Sequence, residues 1–272
     1  MRNYCNNTSV NSVERACKPM PRVIVIGLAS CFGCQLQITN RERYLTDVLG
    51  QIDLRYWRMT SSEPLPESYD VAVIEGAVTT QESVDLVKDV RAHAKAVITI
   101  GACANTAGIP GIAADNFDER VSQVYQDLPA AAGHVISPRS VPDVIDVDFQ
   151  VLCCPIEFDR FVEVLGEALY ESNRVKPTRT LCGDCKRNER TCLYNQGKIC
   201  LGMVTSAGCG ARCPSLGREC NGCAGISPDA NLDSARSIVE RYGLSVDEFD
   251  RKLEMFNQTN DVLHPQDENQ EA

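Results

Sequence analysis

The chain has 272 residues, 43% of them hydrophobic, with 27 Lys and Arg against 37 Asp and Glu and a formal net charge of −10. This length suits one full domain plus a smaller one, and the apolar fraction argues against general disorder. The acidic balance argues against gripping nucleic acid, which needs clustered Lys and Arg, and fits a soluble protein or one face of a complex.

In chain order, residues 1–20 read as a loose N-terminal extension. They carry Cys5 and Cys17, whose spacing matches no site and which read as free surface thiols. Val23 to Leu28 (VIVIGL) is a continuous apolar run, the mark of a buried parallel strand. A helix-compatible stretch follows from Gln35 to Leu49. Ile52 to Trp57 and Asp70 to Ile74 (DVAVI) read as strands, Gln81 to His93 as a helix, and Ala96 to Ile100 (AVITI) as a fourth strand. Residues 104–145, rich in Pro, Gly and Ala, resist assignment. Phe149 to Leu152 reads as a fifth strand and Glu157 to Tyr170 as a helix. Strands alternating with helices predict a doubly wound α/β sheet over residues 21–172.

Glu171 to Arg179 reads as a linker, and the texture then changes. From Cys182 to Cys223, eight cysteines fall in 42 residues with little periodicity. So polar and Gly-rich a segment needs a cross-link to fold. Helices are expected at Leu232 to Tyr242 and Ser245 to Met255. Residues 173–257 thus form a second, smaller cysteine-rich domain, and residues 258–272 an acidic tail.

Fifteen cysteines against three histidines imply disulfides or metal. The opening residues lack the apolar run of a secretory signal and a twin-arginine pair. No stretch reaches about 18 apolar residues. A cytoplasmic chain is therefore expected, and there dense cysteine means metal.

The cysteines sort into three sets of four. Cys31 and Cys34 follow the first strand, Cys103 the fourth and Cys154 the fifth, all at carboxyl ends of strands, where open α/β sheets bind ligands. Gly33 and Gly101 fit a backbone passing close to a cofactor. Cys153 should face away from its neighbour Cys154 and read as packing, since Pro155 fixes the chain after Cys154. The second set is Cys182, Cys185, Cys192 and Cys200, and the third is Cys209, Cys213, Cys220 and Cys223. Four thiolates suit tetrahedral zinc or a 4Fe–4S cluster, and spacing alone does not separate them. No histidine lies between His134 and His264, and three such sites in one chain make more sense as an electron relay than as a zinc scaffold.

At these residues a family resemblance becomes specific. LASCFGCQLQIT, IEGAVTTQE, IGACANTAG and Cys154-Pro155 resemble the small subunit of nickel–iron hydrogenases; a complex I subunit shares this part only partially. LCGDCKRNERTC, KICLGMVTSAGCGARCP, RECNGCAG and RKLEMFN resemble the delta subunit of cytoplasmic sulfhydrogenases and the small subunit of methanogen-type hydrogenases that do not use coenzyme F420. The resemblance spans about residues 22 to 257. It implies a flavodoxin-like sheet followed by an iron–sulfur domain, and three 4Fe–4S clusters. The first set would hold the proximal cluster, the second the distal and the third the medial. Glu75 matches a strand-end Glu-Gly beside the proximal site, as a proton-path or supporting residue; the alternative is a solvated or capping carboxylate. The resemblance assigns this chain no bond-making step. Hydrogen would be split at the nickel–iron centre of a partner large subunit, and electrons would pass to a partner with flavin and NAD(P) or another acceptor, heterodisulfide reductase or sulfur among them. Two departures match the cytoplasmic branch: Cys182 replaces a histidine, and Cys213 adds a fourth medial thiolate. The usual Gly-Cys-Pro-Pro reads Cys153-Cys154-Pro155-Ile156 here. The competing readings are a sulfur- or quinone-linked redox complex without hydrogenase activity, and a zinc-bound scaffold.

Overall fold

The structure is a computed structural model, and it describes residues 19–125, 128, 132–170, 172 and 178–264. Cys5, Cys17, most of the predicted linker and the end of the acidic tail lie outside the described residues.

Five parallel strands form the sheet: β1 (Arg22–Gly27), β2 (Asp53–Trp57), β3 (Val71–Glu75), β5 (Ala96–Ile100) and β7 (Phe149–Val151), in the order β2-β1-β3-β5-β7. The order reverses between β1 and β3. That is the doubly wound, flavodoxin-like arrangement, with a ligand crevice at the carboxyl ends beside the switch point. The three central strands carry near-continuous apolar runs because both faces are covered. Val23, Val25, Val71, Val73, Ile98 and Ile100 face one core with Phe158, Phe161 and Leu165 of α6 (Phe158–Leu169). Ile24, Ile26, Ala72, Ile74 and Val97 face the other, with Val84, Val87 and Val90 of α3 (Gln81–His93). A capping box between Thr80 and Ser83 starts α3 at the predicted residue.

The structure departs from the sequence reading in three places. The helix-compatible stretch over 35–49 holds two helices, α1 (Gly33–Thr39) and α2 (Glu42–Leu49). The Thr39 hydroxyl donates back to the Leu36 carbonyl and Arg41 leaves helical geometry, so the chain turns there. Within 104–145, β4 (Val78–Thr80) pairs antiparallel with β6 (Val135–Arg139), and α4 (Gly101–Thr106) and α5 (Phe117–Val124) form short helices. Finally, the cysteine-rich segment is not without elements. It contains α7 (Leu181–Arg187), α8 (Arg212–Ser215) and two single-turn 3-10 segments, Leu193–Gln196 and Leu201–Met203. Leu181, Leu201 and Val204 pack on Val239 of α9 (Leu232–Arg241) and on Phe249 and Leu253 of α10 (Val246–Glu254). This segment therefore has an apolar floor, and its thiols sit above it.

Candidate functional site

The first four thiols meet at the carboxyl edge of the sheet. Cys31 and Cys34 lie in the loop after β1 and the first turn of α1, Cys103 in α4 directly after β5, and Cys154 just after β7. Cys103 lies within electrostatic reach of Cys31, and Cys154 within reach of Cys103, Cys31 and Cys34. Cys34 is buried, Cys103 half-buried, and Cys31 and Cys154 are exposed. Burial, and then the Glu75 charge, pushes the Cys34 thiol well above its ordinary value. Burial and then Cys103 push Cys154 up to about 11. Such thiols do not ionise unaided at neutral pH; a bound cation must displace their protons.

Glu75 is not solvated; it is a capping carboxylate that satisfies a first-turn N–H of α1 from the end of β3. It ends β3 at 1% exposure. One oxygen accepts the Cys34 backbone N–H at 3.0 Å and the other accepts the Gln35 amide at 2.7 Å. Gln35 in turn accepts the Trp57 indole N–H from β2. The carboxylate thus braces the Cys31–Cys34 loop from below. Gly101 has φ +82°, and a Cβ there would collide with the Cys34 sulfur. Only glycine leaves that space open, so the backbone approaches the thiol set as closely as the sequence suggested. At Gly33 an added Cβ would stand 3.2 Å from the Cys31 sulfur.

The second set lies around α7 and the 3-10 turns. Cys182 is within reach of Cys200, Cys185 and Cys192, and Cys185 of Cys200 and Cys192. Burial, then Cys200, pushes Cys182 up to about 11. Cys192 is exposed, so this set reaches the surface. An added Cβ on Gly202 would stand 3.6 Å from both the Cys182 and the Cys200 sulfurs.

In the third set, Cys213 lies within reach of Cys223 and Cys209, and Cys220 within reach of Cys223 and of Cys200 in the second set. The Cys220 backbone N–H donates to the Cys200 sulfur at 3.3 Å. Burial pushes Cys220 up to about 12. The third set also adjoins the first, because Cys154 and Cys223 lie within electrostatic reach of each other. In space the order is therefore first, third, second.

Cys153 corrects the sequence reading. It is buried at 4% exposure, as a packing residue would be, but it lies beside Cys209 and Cys223 of the third set and is electrostatically linked to them. That link holds Cys209 down at about 6, against the opposing effect of burial. Alternation at a strand end correctly turned Cys153 away from Cys154. It gave no sign of what lay on the other side, because the partners are more than 50 residues ahead. All thirteen described cysteines are free.

Comparison with known proteins places these features. Residues 31–168 match the family described as NADH ubiquinone oxidoreductase, 20 Kd subunit. The delta subunit of sulfhydrogenase 2 from Pyrococcus furiosus is 31% identical over 233 residues, covering 85% of this chain and 97% of that protein. A subunit of the vhu F420-non-reducing hydrogenase from Methanocaldococcus jannaschii is 26% identical, covering 87% and 93%. In fold, the chain is similar to one in the crystal structure of a reduced, active nickel–iron–selenium hydrogenase from Desulfomicrobium baculatum, with a TM-score of 0.53 and 19% identity over 80% of this chain and 98% of that one.

Proposed function

Because this chain belongs to the family of the NADH ubiquinone oxidoreductase 20 Kd subunit, as a hydrogenase small subunit, we propose that it relays electrons through three 4Fe–4S clusters held by the twelve cysteines of its three sets. Cys31, Cys34, Cys103 and Cys154 would hold the proximal cluster, Cys209, Cys213, Cys220 and Cys223 the medial, and Cys182, Cys185, Cys192 and Cys200 the distal. Residues 21–172 and 173–257 would be the two domains. The carrying observation is the spatial order of the sets. The third adjoins the first through residues 153 and 154 and the second through Cys220 and Cys200, which is what a relay from one open edge of the chain to another surface needs.

The donor chemistry fits the group. Zinc at a Zn–S distance of ~2.3 Å draws its four sulfurs to about 3.8 Å from one another. Among the described residues no three His, Cys, Asp or Glu side chains gather tightly enough for a single ion. An iron–sulfur cube needs more room between its thiolates, and Gly101 and Gly202 leave it beside two of the sets. When bound, each cluster accepts and passes on one electron. The chain's own part is to hold the sulfurs, exclude water and set their hydrogen bonds. Glu75 does this for the proximal loop and takes no part in bond making.

The open edge of the first set defines a docking face. Cys31 and Cys154 are exposed there, and Phe32 and Leu36 beside them are large apolar residues at 41% and 46% exposure. A nickel–iron large subunit would cover this face and supply the hydrogen-splitting centre. A flavin and NAD(P) subunit, or another acceptor, would meet the surface near Cys192, in a cytoplasmic complex. Among the described residues no helix is long and apolar enough to cross a membrane.

Iron and acid-labile sulfide in the purified complex test the reading: about twelve irons per chain are expected, from three four-iron clusters. Alanine at any of the four first-set cysteines should abolish hydrogen-dependent dye reduction, and full activity in such a variant would reject the relay. The family description favours one second reading, a quinone-linked complex without hydrogen chemistry. Hydrogen uptake by the native complex separates the two.

A further inference from the structure

We infer that the face around the second thiol set is a basic docking surface for an electron-accepting protein whose own contact face is rich in carboxylates. This rests on the relay proposed above, in which that set is the exit. Residues 179–223 hold seven Lys and Arg against three Asp and Glu, whereas the rest of the chain holds 20 against 34. One of the three acids, Asp184, is buried and paired with Arg179 and Arg187. The positive side chains gather on one face. Lys186 and Arg187 end α7, the helix that carries Cys182 and Cys185, and the Arg190 N–H donates to the Cys185 carbonyl at 3.4 Å. Asn188 donates to the Gly210 carbonyl at 2.7 Å and to the Ser215 hydroxyl at 3.2 Å, which ties this end of α7 to α8. The Lys198 ammonium reaches the Gly217 carbonyl at 3.4 Å, next to Arg218. Leu216 stands between these two ties at 71% exposure, and Cys192 is exposed between Arg190 and Lys198 in the chain. An apolar residue ringed by Lys and Arg beside the exit thiols has the anatomy of an interface, apolar contact inside a charged rim.

Pairing within the chain does not account for this charge. The ion pairs of the stretch use Arg179, Arg187 and Arg212. Lys186, Arg190 and Arg218 are exposed and form no ion pair among the described residues. Their sign selects the partner. A carboxylate-rich protein is repelled by the acidic remainder of the chain and attracted here, so the field turns it toward the exit set before contact. A basic protein would be drawn to the other faces. A polynucleotide would gain little from so few cations on a chain of net charge −10. No bond is made at the contact: one electron leaves a reduced cluster of this chain and reduces the partner's cofactor by one electron.

The test uses the purified native complex. A zero-length carbodiimide, which joins a lysine amine to a carboxylate in contact with it, is applied and the products are mapped by mass spectrometry. Lys186 and Lys198 should be joined to Asp or Glu of an acceptor subunit. Lysines left free, or joined only within this chain, to a second copy of it or to the large subunit, would overturn the inference. The double variant Arg190→Glu with Arg218→Glu is then read in the same complex. Its iron content should match the parent, and electron delivery to the acceptor subunit's cofactor should fall about tenfold relative to hydrogen-dependent reduction of a small dye. An unchanged ratio would overturn the inference. A parent complex without cluster iron would instead overturn the relay beneath it, so the two failures are distinct.

Discussion

Val73 and Ile98 lie under α6 while Ile74 and Val97 lie under α3, and among the described cysteines Cys34 alone is packed in these two layers. Between Leu181 and Ala224 the picture differs. Short helices, 3-10 turns and glycines at positive φ, among them Gly208, Gly210 and Gly222, carry eight cysteines over a single small core closed by α9 and α10. The α/β region holds a site at its rim. The C-terminal region is in large part built of its sites. Site and fold are separable in the first and share one stability in the second.

Stripping the metal tests this contrast most severely. Chelation of the purified chain under reducing conditions is expected to make residues 181–257 protease-sensitive, while residues 22–169 stay protected, as mapped by limited proteolysis and mass spectrometry. Equal protection of both regions would show that the C-terminal region does not draw its stability from bound metal. A narrower test is Gly101→Ala. The added Cβ meets the Cys34 sulfur and the residue must hold a positive φ, so about four of twelve irons should be lost. Circular dichroism should change little, because the sheet does not depend on that loop.

Smaller effects sharpen the contrast within the α/β region. Glu75→Gln has one acceptor oxygen for two buried donors, so one hydrogen bond is lost at about 1–3 kcal/mol. The expected fall in thermal midpoint is ~2–4 °C for each kcal/mol, together with slower loading of the first set in iron-reconstitution assays. The smallest effect concerns acid. Burial alone would raise the Asp70 carboxyl, but hydrogen bonds from Arg22 and the Lys95 ammonium at 3.0 Å override it and hold it well below its ordinary value. A carboxyl depressed in the folded state contributes stability that is complete above its unfolded pKa of ~3.9 and is lost as pH falls toward the folded value. The urea midpoint of the α/β region should therefore drop between about pH 5 and lower pH, and Asp70→Asn should flatten that drop.

Much of the fold was legible because its signals are local. VIVIG, VAVIE and AVITI can only be strands covered on both sides, and α3 begins and ends at the predicted residues. The first thiol set followed from one rule, that ligands gather at carboxyl ends of parallel strands, and the structure brings Cys31, Cys34, Cys103 and Cys154 to that edge. What escaped was non-local or too short to repeat. The pairing of Val78–Thr80 with Val135–Arg139 joins a three-residue strand to a partner more than 50 residues on, below the length at which alternation shows. The turn between α1 and α2 depends on one hydroxyl bonding back to its own helix. Glu75 was found by motif, but its role as a brace depends on Gln35 and Trp57, which no spacing connects to it. Cys153 looked inert because the sulfurs it lies beside arrive from the other region of the chain.

The half-open first set has a consequence for how such a molecule comes into being. With Cys31 and Cys154 at the surface and Phe32 and Leu36 beside them, the newly made chain shows oxidisable sulfur and sticky apolar side chains on one rim. Its survival before assembly depends on how soon another polypeptide caps that rim. The edge where a partner would dock is, in the lone chain, a clock.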